Sequence, residues 1–204
     1  MNKLDFEGAK AYALERLENE LPASLYYHSL PHTRDDVAPG VERLAVKYEI
    51  DGAALGLVKT AAYYHDIGFI KQIVDHEIAG IQIAEKILPK FGFRPEHLQQ
   101  ISRMIMATRL PQSPRSFLER ILMDADLDVL GRDDFLSRSK DLRAELAANG
   151  LPTTEEAWYK RQLAFLTRHR YFTAAARDLR DATKQQNIAM LVNLIAQGQA
   201  LTRG

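Results

Sequence analysis

Ala61-Ala62-Tyr63-Tyr64-His65-Asp66-Ile67-Gly68 is the stretch around which the chain is organised. An apolar run with helical spacing ends in an adjacent imidazole and carboxylate, and a glycine follows at once. Counting back from His65, the residues Ala62, Val58 and Leu55 recur at steps of three and four, which places them on one side of a helix. That helix is expected over Gly52 to Asp66, with Asp51 as its N-cap and Gly68 at the place of a C-terminal cap. His65 is then the last member of a buried face. The question for the rest of the chain is whether it supplies further ligands for a metal beside His65 and Asp66.

Working outward, nearly every segment reads with helical spacing, and no stretch alternates as a strand would. A first helix is expected over Leu4 to Leu21, stopped by Pro22. Pro31 suits a first helical turn, so His32 opens a second helix that runs to about Tyr48 with a kink at Pro39-Gly40. A fourth spans about Asp75 to Phe91, and a fifth runs from Pro95 to Pro111. Ser113-Pro114 reads as the start of a sixth that carries Phe117, Ile121, Leu122 and Ala125 toward Asp126. Asp133 starts a seventh that stops at Asn149-Gly150, Thr153-Thr154 begins an eighth, and the last covers Thr173 to Gln199. The expected fold is all-α, a bundle of eight to nine helices in one domain over residues 1–204. The reading divides it into a core of about 26–131 and a helical extension of about 132–204.

Composition narrows the function classes. Of 204 residues, 46% are apolar, enough to bury one core. The 27 basic and 27 acidic residues cancel, which argues against bulk binding to a nucleic acid polymer or a membrane surface. With no cysteine in the chain, metal ligands must come from His, Asp, Glu and water. Met1 to Glu7 contain no apolar signal region, and no uncharged run approaches a membrane span, so a cytoplasmic location is expected.

Neighbouring residues on a helix point about 100° apart, so His65 and Asp66 grip an ion lying between their two directions only if other helices add ligands. His32 opens one helix and Asp126 ends another, positions that suit a shared pocket. Each residue also has a plain structural reading. His65 fits a hydrogen-bonded core histidine, Asp66 a helix cap, and Asp124-Ala125-Asp126-Leu127-Asp128 a solvated turn. Tyr63 and Tyr64 read as core, Trp158, Phe165 and Tyr171 as packing for the last helices, His97 as exposed, and Arg168-His169-Arg170 as an exposed loop.

Taken together, His32-Thr33, His65-Asp66-Ile67-Gly68 and Asp124-Ala125-Asp126-Leu127-Asp128-Val129-Leu130-Gly131 resemble the HD superfamily of metal-dependent phosphohydrolases. The resemblance spans about residues 26 to 131. Tyr27-His28-Ser29-Leu30-Pro31-His32-Thr33 narrows it, as does the stretch from Arg143-Ala144-Glu145 through Trp158 to Phe165-Leu166. These look like a branch of phosphohydrolases with a longer helical C-terminus. The resemblance implies His32, His65, Asp66 and Asp126 as ligands of one divalent metal ion, with Mn, Fe, Co, Ni, Mg and Zn all compatible with the donor set. It also implies cleavage of a small phosphoester, nucleotides included, by attack of a metal-activated water. Lys71, Arg109 and Arg115 are the candidate substrate-binding cations, with Arg34 and Lys59 behind them.

Two departures from the family pattern bear on the chemistry. Dinuclear members add two histidines; His76 matches the first place, but Thr108 occupies the second. Some mononuclear members carry a glutamate three residues after the HD aspartate, where this chain has Phe69. Proton transfer is therefore assigned to Asp66, His76 and Glu77, with His28 in reserve. The same departures favour a rival reading, a non-catalytic sensor that binds metal and nucleotide. A helical interaction module without metal is a third. A homodimer is compatible with the apolar last helix.

Overall fold

The structure, a computed structural model, describes residues 4–201, and side chains only as far as residue 198. Met1, Asn2 and Lys3 of the N-terminal reading and the Gln199 side chain lie outside the described residues. Nine α-helices and no strand occur among the described residues: α1 (Phe6–Glu20), α2 (Ala38–Lys47), α3 (Gly52–Tyr64), α4 (His76–Ile87), α5 (Pro95–Ala107), α6 (Phe117–Asp126), α7 (Phe135–Ala148), α8 (Glu155–Arg168) and α9 (Ala174–Leu201). No helix among the described residues is long and apolar enough to cross a membrane. The chain groups into two compact units, one up to Asp126 and one from Leu127 on.

In the first unit α3 is central and packs against α1, α2, α5 and α6. Its second half is buried through Leu57, Val58, Thr60, Ala61, Ala62, Tyr63 and Tyr64, and Lys59 alone keeps partial exposure there. The one-sided face expected from the spacing is therefore too narrow. A helix half with so little polar surface belongs in the middle of the bundle. The Tyr64 hydroxyl, buried with the rest, donates to the Ala9 carbonyl at 3.1 Å. Gly40 lets α2 lie against α6, since a Cβ there would stand 3.1 Å from the Ala125 Cβ.

Three boundaries differ from the sequence reading. His32–Val37 is a π-helical turn leading into α2, and the Ala38 N–H reaches the Thr33 carbonyl. Pro39 offers no N–H to continue an α-helical ladder, and the turn before it widens where a kink at Pro39-Gly40 was expected. The sixth helix starts at Phe117, not at Ser113-Pro114. The Ser116 hydroxyl accepts the Glu119 N–H at 3.2 Å, and Glu119 Oε2 accepts the Ser116 N–H at 3.3 Å. This reciprocal box fixes the start. Gly68 does not cap a helix with a left-handed residue; it belongs to a 3₁₀ turn, Ile67–Ile70, packed on α4. Asp51 stands at the N-cap position of α3 with extended backbone, but without a side-chain capping bond.

The second unit holds α7, α8 and α9 with a 3₁₀ turn at Asp128–Gly131. Arg180 grips Asp128 with two bonds of 2.6 and 2.8 Å, and Asn187 Nδ2 donates to the Leu130 and Arg132 carbonyls at 3.0 and 2.9 Å. Trp158 is buried and its Nε1–H donates to Ser139 Oγ at 2.9 Å. The expected exposed loop Arg168-His169-Arg170 is exposed only at its arginines. His169 is half-buried against Tyr171, and burial and the Lys184 charge lower its pKa to about 4. Lys184, itself buried, donates to the His169 carbonyl at 3.1 Å and so meets the negative end of α8.

Candidate metal centre

The helix α3 ends at Tyr64, and His65 still has helical backbone angles. Asp66 does not: at φ −103° and ψ 1° it leaves the helix and starts the 3₁₀ turn. That bend removes the divergence expected of two neighbouring helical side chains. It brings Asp66 Oδ2 to 3.1 Å from His65 Nε2. The π-helical turn presents His32 from the opposite side, its Nε2 3.8 Å from Asp66 Oδ2 and 3.3 Å from Asp126 Oδ1. Asp126, the last residue of α6, places the same oxygen 3.5 Å from His65 Nε2. Four side chains from three segments of the first unit thus face one small volume.

The donor atoms in that volume fit a divalent cation. His32 Nε2, His65 Nε2 and Asp66 Oδ2 are buried without a hydrogen-bond partner, and the ligand atoms of these three residues lie within 4.8 Å of one another. The His65–Asp66 contact is close but not aligned as a hydrogen bond. Buried lone pairs without partners are costly, and one cation satisfies all of them. His65 is preset for this role. Its Nδ1–H donates to the Ala62 carbonyl at 2.7 Å, which can only accept, so the Nε2 lone pair is left for a metal. His32 has its Nδ1 3.8 Å from Asp36 Oδ2. Sequence reasoning missed Asp36, although its position one helical turn after His32 was a usable signal.

Charge in the cluster is strongly coupled. Burial opposes protonation of His32, but its pairing with Asp126 and Asp36 prevails and raises the pKa. Burial likewise opposes protonation of His65, and the charges of Asp66 and Asp126 raise its pKa well above the ordinary 6.5. Burial works against ionised Asp66, yet His65, then His28 and His32, hold its pKa far below the usual 3.8. Asp126, opposed by burial, is held at about 2 by His32 and His65.

These shifts set an expected pH profile for the metal-free protein. Asp66, with a lowered pKa, contributes stability that is present above 3.8 and lost as pH falls through its folded value. His65, with a raised pKa, contributes stability that is present below 6.5 and lost as pH rises through its folded value. The contribution of this cluster therefore peaks between those two pH values and declines above them. A cation must displace the imidazole protons, so the rise in Tm on adding metal is expected to grow with pH, with protons released on binding. Calorimetric melts across pH 5–9, with and without metal, check this. A constant metal increment over that range would argue against His32 and His65 as ligands.

The open edge of the site is also defined. The side chains of Asp126 and His76 keep 16% and 19% exposure, against 3%, 1% and 7% for His32, His65 and Asp66. At that edge His76 Nε2 stands 3.6 Å from Asp66 Oδ1 and 3.7 Å from Glu77 Oε1. Phe69 and Thr108 are both buried, and the Thr108 hydroxyl donates to the Ile105 carbonyl at 2.8 Å. Lys71 is exposed just after the 3₁₀ turn. Arg109 is ion-paired with Asp75, the residue before His76. Arg34 holds Asp35 through two 2.8 Å bonds, and Lys59 pairs with Glu42. Arg115 is exposed in the loop before α6, where its backbone N–H donates to Glu119 at 2.5 Å; the structure does not tie its side chain to the cluster.

Residues 36–128 match the family model of the HD domain, and His32 lies just before the match begins. No curated protein matches the chain. Solved structures do, two of them as follows. One is a predicted HD superfamily hydrolase from an uncultured Thermotogales bacterium, at 20% identity and a TM-score of 0.59, covering 95% of this chain and 91% of that one. The other is a protein of Lactobacillus plantarum, at 15% identity and a TM-score of 0.68, covering 100% of this chain and 99% of that one. At these identities the two likenesses establish the fold.

Proposed function

We propose that the chain, whose residues 36–128 match the HD-domain model, works as a metal-dependent phosphohydrolase acting on a small phosphoester. The observation that supports this best is the convergence of three buried, unpartnered donor atoms, His32 Nε2, His65 Nε2 and Asp66 Oδ2, with Asp126 Oδ1 beside them. These four residues would hold the cation. A bound divalent cation supplies Lewis-acid activation of water and neutralises charge on the phosphoryl oxygens. Two imidazoles and two carboxylates accept any of Mn, Fe, Co, Ni, Mg or Zn.

The chain's own residues supply the remainder. Asp66 has one oxygen toward His65 and the other toward His76, so it links the metal-holding residues to the open edge. His76 and Glu77, side by side there, are the groups placed to pass a proton to a departing alkoxide. Lys71 is the exposed cation nearest in sequence to Asp66 and suits a phosphate oxygen, whereas Arg109 must first give up Asp75. A sensor that binds metal without turnover is the second reading. It is favoured by buried Phe69 at the place of a family glutamate and by Thr108, whose hydroxyl is bonded back to its own helix.

The test uses untagged protein, elemental analysis and a panel of phosphomonoesters and nucleotides. About one equivalent of divalent metal is expected, with turnover that is lost on chelation and restored on adding metal. Metal without turnover on the whole panel selects the sensor. Absence of metal after supplementation sinks both readings.

A further inference from the structure

Phe69 stands where the family resemblance places a glutamate, and its neighbours are histidines. Its buried ring lies 3.8 Å from the His76 ring, centroid to centroid, at an interplanar angle of 19°. It lies 4.5 Å from the His28 ring at 25°. The two imidazole centroids are 6.2 Å apart, so the three rings form a compact triangle with the phenyl ring at its inner corner. His28 in turn meets the metal-ligand candidate His32 edge to face at 6.2 Å. His76 is further tied by its Nδ1–H, which donates to the Ile73 carbonyl at 3.2 Å.

We propose that Phe69 is a positioning residue, whose ring holds the His28 and His76 imidazoles in fixed orientations at the open edge of the metal centre. A backbone hydrogen bond at Nδ1 fixes one direction of the His76 ring, and a near-parallel phenyl face restricts its rotation about that direction. Together they keep Nε2 at 3.6 Å from Asp66 Oδ1. A glutamate or an aliphatic side chain at this place offers no flat face, so the same backbone would leave His76 free to swing toward solvent. The apolar residue that looks like a loss of chemistry in the sequence is then the part that holds two histidines to it. The inference rests on the hydrolase reading only for its kinetic readout.

The test is the rate of carbethoxylation by diethyl pyrocarbonate at each histidine, followed by mass spectrometry, in the wild type, Phe69→Leu and Phe69→Tyr. His97 is the internal reference, since it accepts the Arg94 N–H in another part of the unit. Phe69→Leu is expected to raise the rates at His28 and His76 about three- to tenfold relative to His97, and Phe69→Tyr to keep wild-type rates. With a phosphoester that the wild type cleaves, Phe69→Leu should lower kcat about tenfold with KM and metal content unchanged. Unchanged rates at His28 and His76 in a folded Phe69→Leu protein would overturn the proposal. So would an equal rise at His97, which reports general loosening. Phe69→Met, close in volume and without a ring, takes over if the leucine variant does not fold. If the wild type cleaves nothing, the hydrolase reading falls while the modification rates still decide the role of Phe69.

Discussion

Asp66→Ala is expected to lose the bound cation and to lower metal-dependent turnover by about a thousandfold or more. The size follows from where the carboxylate stands. One oxygen is 3.1 Å from His65 Nε2 and 3.8 Å from His32 Nε2, and the other is 3.6 Å from His76 Nε2. No other side chain in the cluster touches three imidazoles among the described contacts. Its removal takes away a ligand and also the main charge that orders His65. Asp126 remains, but its side chain sits on the partly open edge and would not replace the buried carboxylate beside His65. Asp66→Asn keeps the shape and tests charge alone; it should also lose the metal, because an amide is a weaker ligand than a carboxylate. Elemental analysis of dialysed variants, with melts in the presence and absence of metal, reads both effects. An Asp66→Ala protein that keeps a full equivalent of metal would refute the assigned ligand set.

Much of this site was legible because the relevant signals are local. The spacing of Leu55, Val58, Ala62 and His65 places a helix before the histidine, and α3 is there. Pro31 before His32 and the apolar run before Asp126 mark helix ends, and those ends bring the two side chains within 3.3 Å of each other. What periodicity does not carry is the partner across space. It assigned α3 one buried face, whereas its second half is buried all round except at Lys59. It placed His65 and Asp66 on one helix, whereas the carboxylate meets the imidazole because the chain leaves the helix at Asp66. Arg109, Arg34 and Lys59 read as candidate substrate-binding cations, yet each has an acidic partner, and for Arg109 and Lys59 that partner is far along the chain. Phe69 read as a missing glutamate because its two ring partners, His28 and His76, come from other segments.

Gly68→Ala should be the most destabilising small substitution in the first unit, at about 3–5 kcal/mol. A Cβ at this position would lie 1.8 Å from the His76 carbonyl oxygen and 2.6 Å from the Gly80 N. Both are backbone atoms of α4, so no side chain can rotate away; the helix or the 3₁₀ turn must move. Gly80 completes the close approach from the other side, where a Cβ would stand 3.2 Å from the Tyr64 carbonyl oxygen. The two glycines therefore press the turn after Asp66 onto the start of α4. The carbonyl that an added methyl would strike belongs to His76 itself, so the damage reaches the open edge of the metal centre as well as stability. Gly198→Ala in α9 is the control. Among the described residues nothing lies within 4 Å of its Cβ position, and alanine in a helix is favoured over glycine by roughly 0.8–1 kcal/mol, so that variant should be neutral or slightly more stable. Urea unfolding of the two variants against the wild type separates steric crowding from helix propensity. A Gly68→Ala protein within about 1 kcal/mol of the wild type would mean that the turn and α4 can part at little cost, and that His76 is not held to Asp66 by the backbone.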